Sequence, residues 1–143
     1  MTVAAILAGK GRDVLTTTAD KTVGEAVKVL AERRIGALVV VEGARRIAGI
    51  ISERDIVRAI AATAGEALTQ PIASIMTRTV VTCSEGETIN EVMTRMTRGR
   101  FRHLPVSTND KLVGIISIGD VVKARIEEVE HEAEEMRAYI ATA

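Results

Sequence analysis

The chain contains an internal repeat of about 65 residues, which constrains its fold more than any other feature of the sequence. The segment from Gly49 to Arg58 (GIISERDIVR) returns as Gly114 to Lys123 (GIISIGDVVK), shifted by 65 residues. Upstream, Thr22-Val-Gly-Glu returns as Thr88-Ile-Asn-Glu, shifted by 66. The one-residue difference falls in a polar turn between predicted strands, where insertions are tolerated. The chain is therefore predicted to contain two copies of one structural unit.

Each copy carries the same predicted order of elements. Thr22 and Thr88 begin a helix with a capping box and an apolar stripe. Two β-branched runs around a polar turn then predict a hairpin, at 37–41 with 47–51 and at 103–106 with 112–116. A second helix begins at Ser52 or Ser117. The predicted first strands of the two copies are Val14–Leu15 and Val80–Val81.

These elements predict an α+β fold, resembling an α/β sandwich, made of two β-α-β-β-α repeats. A unit of roughly 60 residues buries little core alone, so we expect the repeats to pack side by side about a pseudo-twofold axis. The predicted boundaries are 5–64 for the first repeat and 74–126 for the second. Residues 65–73, which include Gly65 and Pro71, are the predicted linker, and 127–143 form a helical extension.

The extension is predicted to continue the last helix, because neither glycine nor proline occurs from Val121 to Ile140. Apolar residues there recur at alternating steps of four and three. They are Val122, Ile126, Val129, Ala133, Met136 and Ile140. This heptad pattern of fewer than three repeats fits a helix packed on its own domain or a homodimer contact.

Composition narrows the class of protein. The 19 Lys and Arg residues balance 19 Asp and Glu residues, whereas nucleic-acid binders depend on excess positive charge. Phe101 and Tyr139 are the only aromatic residues, so the core is aliphatic. The single Cys83 indicates a reducing compartment, and the apolar run at 3–8 is too short for a signal peptide or membrane span. We therefore expect a cytoplasmic protein with no membrane partner.

Each copy also places a serine and an aspartate three residues apart where a strand meets a helix, as Ser52–Asp55 and Ser117–Asp120. One interpretation is structural: the serine caps the helix and the aspartate reaches back to it. The other is a ligand site. A helix N-terminus offers N–H groups to an anion, and a carboxylate accepts two hydrogen bonds from a ribose diol. The pair suits a nucleoside phosphate better than bare phosphate.

A basic cluster from Arg95 to His103 holds four arginines and one histidine in nine residues. Arg95 and Arg98 are predicted to close a helix before Gly99, a suitable C-cap. Arg102 is the better phosphate ligand because its charge is permanent. Strict strand alternation separates Arg102 from His103 unless the strand begins irregularly. The cluster also supports an alternative function, nucleic-acid binding.

The sequence resembles a tandem pair of CBS domains, the modules named for cystathionine β-synthase and also called a Bateman module. The resemblance rests on the paired Gly-Ile-Ile-Ser-x-x-Asp motifs, the Thr-Val/Ile-x-Glu helix starts and the Phe-Arg-His-Leu-Pro-Val strand, and covers Ala5 to Ile126. It implies a non-catalytic regulatory module that senses an adenosine-containing ligand: AMP, ADP, ATP, NAD or S-adenosylmethionine. Binding would shift a conformational population that an unidentified effector protein detects.

In that family each ligand cleft is composite, with the Ser-x-x-Asp motif from one repeat and strand residues from the other. One cleft would hold ribose on Asp55 and phosphate on Ser52 and the basic pair, with adenine near the main chain of Val81. Its implied members are Ser52, Arg54, Asp55, Val80, Val81, Arg102 and His103. Those of the other cleft are Ser117, Asp120, Leu15, Thr16, Ile35, Gly36 and Ala37.

The two clefts are expected to differ in charge. Gly36 and Ala37 stand where the first cleft has Arg102 and His103, so a tightly held terminal phosphate is not expected in the second cleft. A dinucleotide or a less charged ligand fits that cleft better, and it could also stay empty. Lys10 is the one further candidate to supply a positive charge there.

Overall fold

The computed structural model describes residues 1–142, and its secondary structure follows the predicted order, except that a helix that was not predicted precedes the first strand. The elements are α1 (Val3–Lys10), β1 (Thr16–Thr17), α2 (Val23–Arg33), β2 (Ala37–Glu42), β3 (Arg46–Ser52), α3 (Glu53–Thr63), two 3₁₀ helices (Ala64–Thr69 and Ile72–Ser74), α4 (Ile89–Gly99), β4 (His103–Thr108), β5 (Lys111–Ser117) and α5 (Ile118–Thr142). The strand order is β1-β2-β3-β5-β4. The predicted mixed α+β class and the long C-terminal helix are confirmed.

The chain divides into two compact units that are not continuous in sequence. The first-repeat unit comprises Asp13–Val81 and Ser107–Val113. The second-repeat unit comprises Met1–Arg12, Thr82–Val106 and the chain from Gly114 onward. These units differ from the contiguous boundaries expected from the sequence, since α1 belongs with the second repeat. The repeat boundaries themselves stay a prediction.

In the first-repeat unit, β2 and β3 form the predicted antiparallel hairpin. Its register pairs Ala37 with Ser52 and Val40 with Gly49, and an irregularity follows Val40. β1 lies parallel to β2 on the other side, with Thr16 opposite Val39. This arrangement brings the start of β2 beside the end of β3, where α3 begins.

The core of the first-repeat unit is aliphatic, as the composition predicts. Helix α2 is amphipathic and buries one apolar stripe against the β2–β3 hairpin. The buried cluster contains Val23, Ala26, Leu30, Leu38, Val40, Ile51, Ile56, Ile72 and Met76. Ile72 and Met76 come from the stretch around the predicted linker, so this stretch is an integral part of the unit rather than a free connection.

In the second-repeat unit, helices α1 and α4 pack on α5. Capping boxes begin α2 and α4 as predicted, with Thr22 and Thr88 each accepting a hydrogen bond from the N–H three residues on. The buried residues of this unit are again aliphatic. They include Val3, Leu7, Ile89, Val92, Met96, Leu104, Val106, Ile116 and Val121.

The stretch of chain that precedes each repeat packs in the unit of the other repeat; we call residues 1–10 and 70–79 the leading segments. In the first-repeat unit, the Ile72 N–H donates to the Lys21 carbonyl at 2.8 Å. In the second-repeat unit, the Val3 N–H donates to the Glu87 carbonyl at 2.9 Å. Lys21 and Glu87 are equivalent in the repeat, so the two leading segments occupy equivalent places.

The predicted first strands are wrong by two or three residues. In the first repeat the strand is Thr16–Thr17 rather than Val14–Leu15. In the second repeat Val80 and Val81 lie outside any strand, and Cys83 instead forms an isolated parallel bridge with Val106. The prediction followed the short apolar runs. The residues that pair with the hairpin strands instead come just after these runs.

The predicted C-cap at Gly99 is also wrong by one residue. Helix α4 includes Gly99, and Arg100 adopts the left-handed conformation that ends it, with φ 57°. Its repeat equivalent, Arg34, ends α2 in the same way with φ 53°. Gly99 is required for a different reason: a Cβ there would lie 2.0 Å from the Phe101 ring.

Candidate functional site

The Ser52–Asp55 motif forms a capping box at the start of α3. The Asp55 Oδ2 atom accepts hydrogen bonds from the Ser52 N–H at 2.9 Å and from its hydroxyl at 3.0 Å. The Thr77 hydroxyl, from the leading segment of the second repeat, donates to Asp55 Oδ1 at 3.1 Å. Both Ser52 and Asp55 are half-buried. The Asp55 carboxylate is thus held by neutral donors, and two of these donors are hydroxyl groups of the kind that a ribose offers.

The Ser117–Asp120 motif repeats this capping box at the start of α5. Asp120 Oδ2 accepts from the Ser117 N–H at 2.8 Å, and the Asp120 N–H donates to Ser117 Oγ at 3.1 Å. Here the additional partner is a cation. Lys10 Nζ lies 2.7 Å from Asp120 Oδ2 and also donates to the Ile115 carbonyl at 2.9 Å.

Lys10 changes the charge balance expected at the second motif. Burial by itself raises the pKa of Asp120, but the hydrogen bonds from Lys10 and Ser117 outweigh burial, so this pKa lies below its ordinary value. The carboxylate is therefore ionised and paired at neutral pH. Lys10, the candidate cation for this motif, thus reaches it from the last turn of α1.

Backbone carbonyls mark the same position beside each motif. The Gly36 carbonyl accepts from the Glu53 N–H at 3.0 Å, and the Arg102 carbonyl accepts from the Ile118 N–H at 2.8 Å. Residues 36 and 102 therefore each lie at the mouth of the helix that carries the motif. Arg102 occupies a bend with an exposed side chain, and β4 begins only at His103. Arg102 therefore lies outside the regular alternation of β4, and a ligand shared by Arg102 and His103 stays a prediction.

The remaining predicted site residues fall within the two units as follows. Leu15 is 38% exposed, and Arg54 is exposed on the first turn of α3. Residues of the first-repeat unit that accompany Ser52 and Asp55 are Leu15, Thr16, Ile35, Gly36, Ala37, Arg54, Val80 and Val81. Residues of the second-repeat unit that accompany Ser117 and Asp120 are Arg102 and His103. The composite pairing between repeats stays a prediction.

The basic cluster does not act as one surface, because Arg95 is engaged within its own unit. Its guanidinium donates to the Thr82 carbonyl and to Glu87 Oε2, both at 3.1 Å. The hydrogen bond from Arg95 holds the pKa of Glu87 below its ordinary value. Arg98, Arg100 and Arg102 are exposed. Arg95 is therefore a structural residue, though through this ion pair rather than through the end of the helix.

Among the described residues, a nucleophilic cysteine and a metal site have less support than a ligand-binding site. Burial, reinforced by Glu87, raises the pKa of the Cys83 thiol to about 12, which makes it a poor nucleophile. His131, the histidine of the acidic helix, lies 2.9 Å from Glu135 on a solvent-exposed face. Within residues 1–142 no group of three or more His, Cys, Asp or Glu side chains is arranged to hold a metal ion. No helix in the same range is long and apolar enough to cross a membrane.

A comparison with known protein families agrees with the duplicated motif and with the fold. The model of the CBS domain matches this chain twice, over residues 10–62 and 72–127. The chain belongs to the CBS-domain family, as a protein with two CBS domains. Among curated proteins it is 35% identical over 147 residues to the CBS domain-containing protein CBSX3, mitochondrial, of Arabidopsis thaliana, covering 97% of this chain and 71% of that protein.

Solved structures agree with this assignment. The CBS-domain protein ATU1752 of Agrobacterium tumefaciens is 47% identical, with a TM-score of 0.83, over 87% of this chain and 92% of that chain. The CBS domain pair of MJ0100, in complex with 5′-methylthioadenosine and S-adenosyl-L-methionine, is 27% identical with a TM-score of 0.79, over 90% and 98% of the two chains. PAE2072 of Pyrobaculum aerophilum, complexed with AMP, is 28% identical with a TM-score of 0.75, over 84% and 89%.

Proposed function

We propose that this chain is a non-catalytic sensor module that binds an adenosine nucleotide, AMP in the first instance, through its two Ser-x-x-Asp motifs. The observation that carries the proposal is the Asp55 carboxylate, which is half-buried and held by the hydroxyls of Ser52 and Thr77. A ribose diol supplies the same two donors, so it can replace them without leaving the carboxylate unsatisfied. The AMP complex of PAE2072 supports this ligand class.

The structural differences between the motifs support different ligand preferences. The partners of the Asp55 carboxylate are neutral N–H and hydroxyl groups, so this carboxylate favours a neutral diol and disfavours phosphate unless a cation of the proposed site, such as Arg102, compensates. At Asp120 the Lys10 ammonium already balances the carboxylate. A ligand with a ribose must compete with Lys10 there, whereas a phosphate finds a cation in place. ATP, ADP, NAD and S-adenosylmethionine are therefore the other ligands to compare with AMP.

The proposed output is a change in conformational population. A ligand that binds one arrangement of the module more tightly than another stabilises that arrangement by mass action. An effector protein would detect it. We also propose that the module acts as a homodimer through α5, whose five large heptad residues are exposed, and that it works in the reducing cytoplasm. The nucleic-acid alternative loses support because Arg95, part of the cluster on which it rests, is paired with Glu87.

Calorimetric titration with AMP, ATP, NAD and S-adenosylmethionine tests the nucleotide proposal. Asp55→Ala and Asp120→Ala should each remove one binding event and leave the other. The matched controls are Glu25→Ala and Glu91→Ala, which remove the same capping bond from α2 and α4. The controls should lose a similar stability, about 1 kcal/mol, and keep both binding events. Unchanged titrations in both aspartate variants would reduce the two motifs to helix caps.

A second titration isolates the sugar. If the carboxylates hold the diol, 2′,3′-dideoxyadenosine monophosphate should bind at least about tenfold more weakly than AMP, because a site built to hydrogen-bond a hydroxyl rejects an analogue that lacks it. Equal affinities for the two nucleotides would contradict the assignment of ribose to Asp55 and Asp120. Binding of a random single-stranded oligonucleotide that falls steeply with added salt would instead favour the nucleic-acid alternative.

A further inference from the structure

Helix α5 presents an apolar stripe that no residue of the described chain covers. Its inner face is anchored by Val121 and Ala124, which are buried in the second-repeat unit. On the side that faces away from this unit, Val122 is 45%, Ile126 52% and Met136 60% exposed. Val129 and Ile140 continue the stripe at 46% and 67% exposure. Five large apolar side chains exposed along one helix are typical of an interaction surface.

The stripe has the geometry of a two-stranded coiled-coil seam. Ile126, Ala133 and Ile140 fall at heptad position a, and Val122, Val129 and Met136 at position d. Two of the three a positions hold isoleucine, a residue that two-stranded coiled coils commonly place there. A shallow groove of about 480 Å³, lined by Ile118, Gly119, Val122, Lys123, Ile126 and Glu127, runs along the beginning of the seam.

The charged residues beside the seam distinguish the two possible orientations. In a parallel pair, each g residue faces the e residue five positions later on the other helix. Arg125 then faces the partner's Glu130, and Glu132 faces the partner's Arg137, so both contacts join opposite charges. The symmetry of a homodimer makes each contact occur twice.

The antiparallel orientation with the same overlap gives only like charges. There g residues face g residues and e residues face e residues. Glu132 faces the partner's Glu132, Glu130 faces the partner's Glu130, and Lys123 faces the partner's Arg137. Arg125 already bonds Glu128 on its own helix, and its five N–H donors allow it to bond a second carboxylate.

We infer that α5 pairs with α5 of a second copy of this chain as a parallel, in-register coiled coil over residues 122–140. The charge pattern is self-complementary in this orientation and self-repelling in the other, so the surface specifies a second copy of itself. The inference rests on the homodimer proposed above but not on nucleotide binding. It adds an orientation that places both C-terminal ends of the dimer at the same end of the pair.

Disulfide trapping of the full chain tests the orientation. In a parallel pair, Met136→Cys brings two d positions face to face, within the Cα distance that a disulfide requires. We expect a covalent dimer on mild oxidation. We expect none from Glu134→Cys, because heptad position b lies on the outer face of the pair, away from the seam. Cys83, the one native cysteine, is buried, so the wild-type chain is the background control. A covalent dimer from the double variant Ile126→Cys/Met136→Cys but not from Met136→Cys would show antiparallel pairing and overturn the inference.

Charge reversal tests the pairing itself by sedimentation equilibrium. Glu132→Arg turns two attractive contacts into two repulsive ones and should raise the dimer dissociation constant by about tenfold. Glu132→Arg/Arg137→Glu should restore the wild-type value, and Glu134→Arg, of equal charge change on the outer face, should leave it unchanged. A monomeric wild-type chain would overturn the homodimer and with it this inference, while nucleotide titration of the same sample decides the proposed function separately.

Discussion

The two units of this protein have the same backbone plan but differ in what holds the carboxylate of the Ser-x-x-Asp motif. Asp55 and Asp120 each sit in a serine capping box at the start of a helix. Asp55 also accepts a hydrogen bond from the Thr77 hydroxyl, and Asp120 accepts one from the Lys10 ammonium. Both additional partners come from the leading segments, outside the repeated motif. A duplicated sequence has thus kept its helix caps and changed its charge balance by changing the segment packed beside each cap.

The leading segments are equivalent in place but differ in how tightly they are enclosed. Gly49 lies against Met76 and the Thr77 carbonyl, and Gly114 lies against the Leu7 side chain. A backbone carbonyl cannot move aside as a side-chain end can. The first-repeat unit should therefore tolerate less change around its leading segment than the second-repeat unit, a difference that substitutions can measure.

The largest expected effect on stability comes from truncating the fully buried residue of each leading segment, Ile72 or Val3. Ile72→Ala should lower the free energy of unfolding by about 3 kcal/mol and Val3→Ala by about 2 kcal/mol, because both side chains are fully buried and the substitutions leave cavities. Urea denaturation measures both. Leu68→Ala is the control, since Leu68 is 39% exposed, and its cost should stay below about 1 kcal/mol. Equal losses of unfolding free energy from Ile72→Ala and Leu68→Ala would show that the leading segment 70–79 is not part of the core.

The next largest effect on stability is expected from substituting the two equivalent glycines, Gly49 and Gly114. A Cβ at Gly49 would lie 2.9 Å from the Thr77 carbonyl oxygen and 2.8 Å from Met76 Sδ. At Gly114 the three nearest atoms all belong to the Leu7 side chain, the first at 2.8 Å. Gly49→Ala should destabilise by about 2 kcal/mol and Gly114→Ala by about 1 kcal/mol, because Leu7 can adjust its rotamer. A larger cost at Gly114 in urea denaturation would contradict the proposed difference in enclosure.

A smaller effect concerns the ion pair that distinguishes the two motifs. Lys10→Met keeps the aliphatic stem and removes the charge, and it should cost roughly 1 kcal/mol at pH 7. Because the pKa of Asp120 is lowered in the folded state, its contribution is fully present above about pH 4 and is lost as the pH falls through the folded-state pKa. The difference between variant and wild type should therefore shrink towards pH 2 in acid denaturation. A difference that stays the same from pH 7 to pH 2 would contradict the assignment of Lys10 as a partner that lowers the pKa of Asp120.

The smallest expected effect is a lack of reactivity at Cys83. Thr17, its repeat equivalent, is also buried, so the position is enclosed in both units. With its pKa raised to about 12, the Cys83 thiol should react with a thiol reagent at pH 8 only when the chain is unfolded in urea. Rapid modification of the folded chain would mean that the second-repeat unit opens around the bridge to Val106 more readily than its burial indicates.

The sequence predicted the repeated elements well because local chemistry specifies them. Capping boxes at Thr22, Thr88 and Ser52 and the alternating hairpin runs each contain their own signal. The first strands were misplaced because only two residues pair, at Thr16 and Thr17, and the neighbouring apolar run is the stronger pattern. Thr77 was missed as a partner of Asp55, and Lys10 was named only as a candidate charge near the second motif, since these contacts join residues 22 and 110 positions apart. No periodicity or motif reports such a contact.

A crystal structure of the chain with saturating AMP tests the central claim most directly. The account predicts that a ribose hydroxyl oxygen lies about 2.5–3.2 Å from an Asp55 or Asp120 carboxylate oxygen, in place of the Thr77 hydroxyl or the Lys10 ammonium. The account is contradicted if AMP lies elsewhere while both carboxylates keep every contact that they make without it.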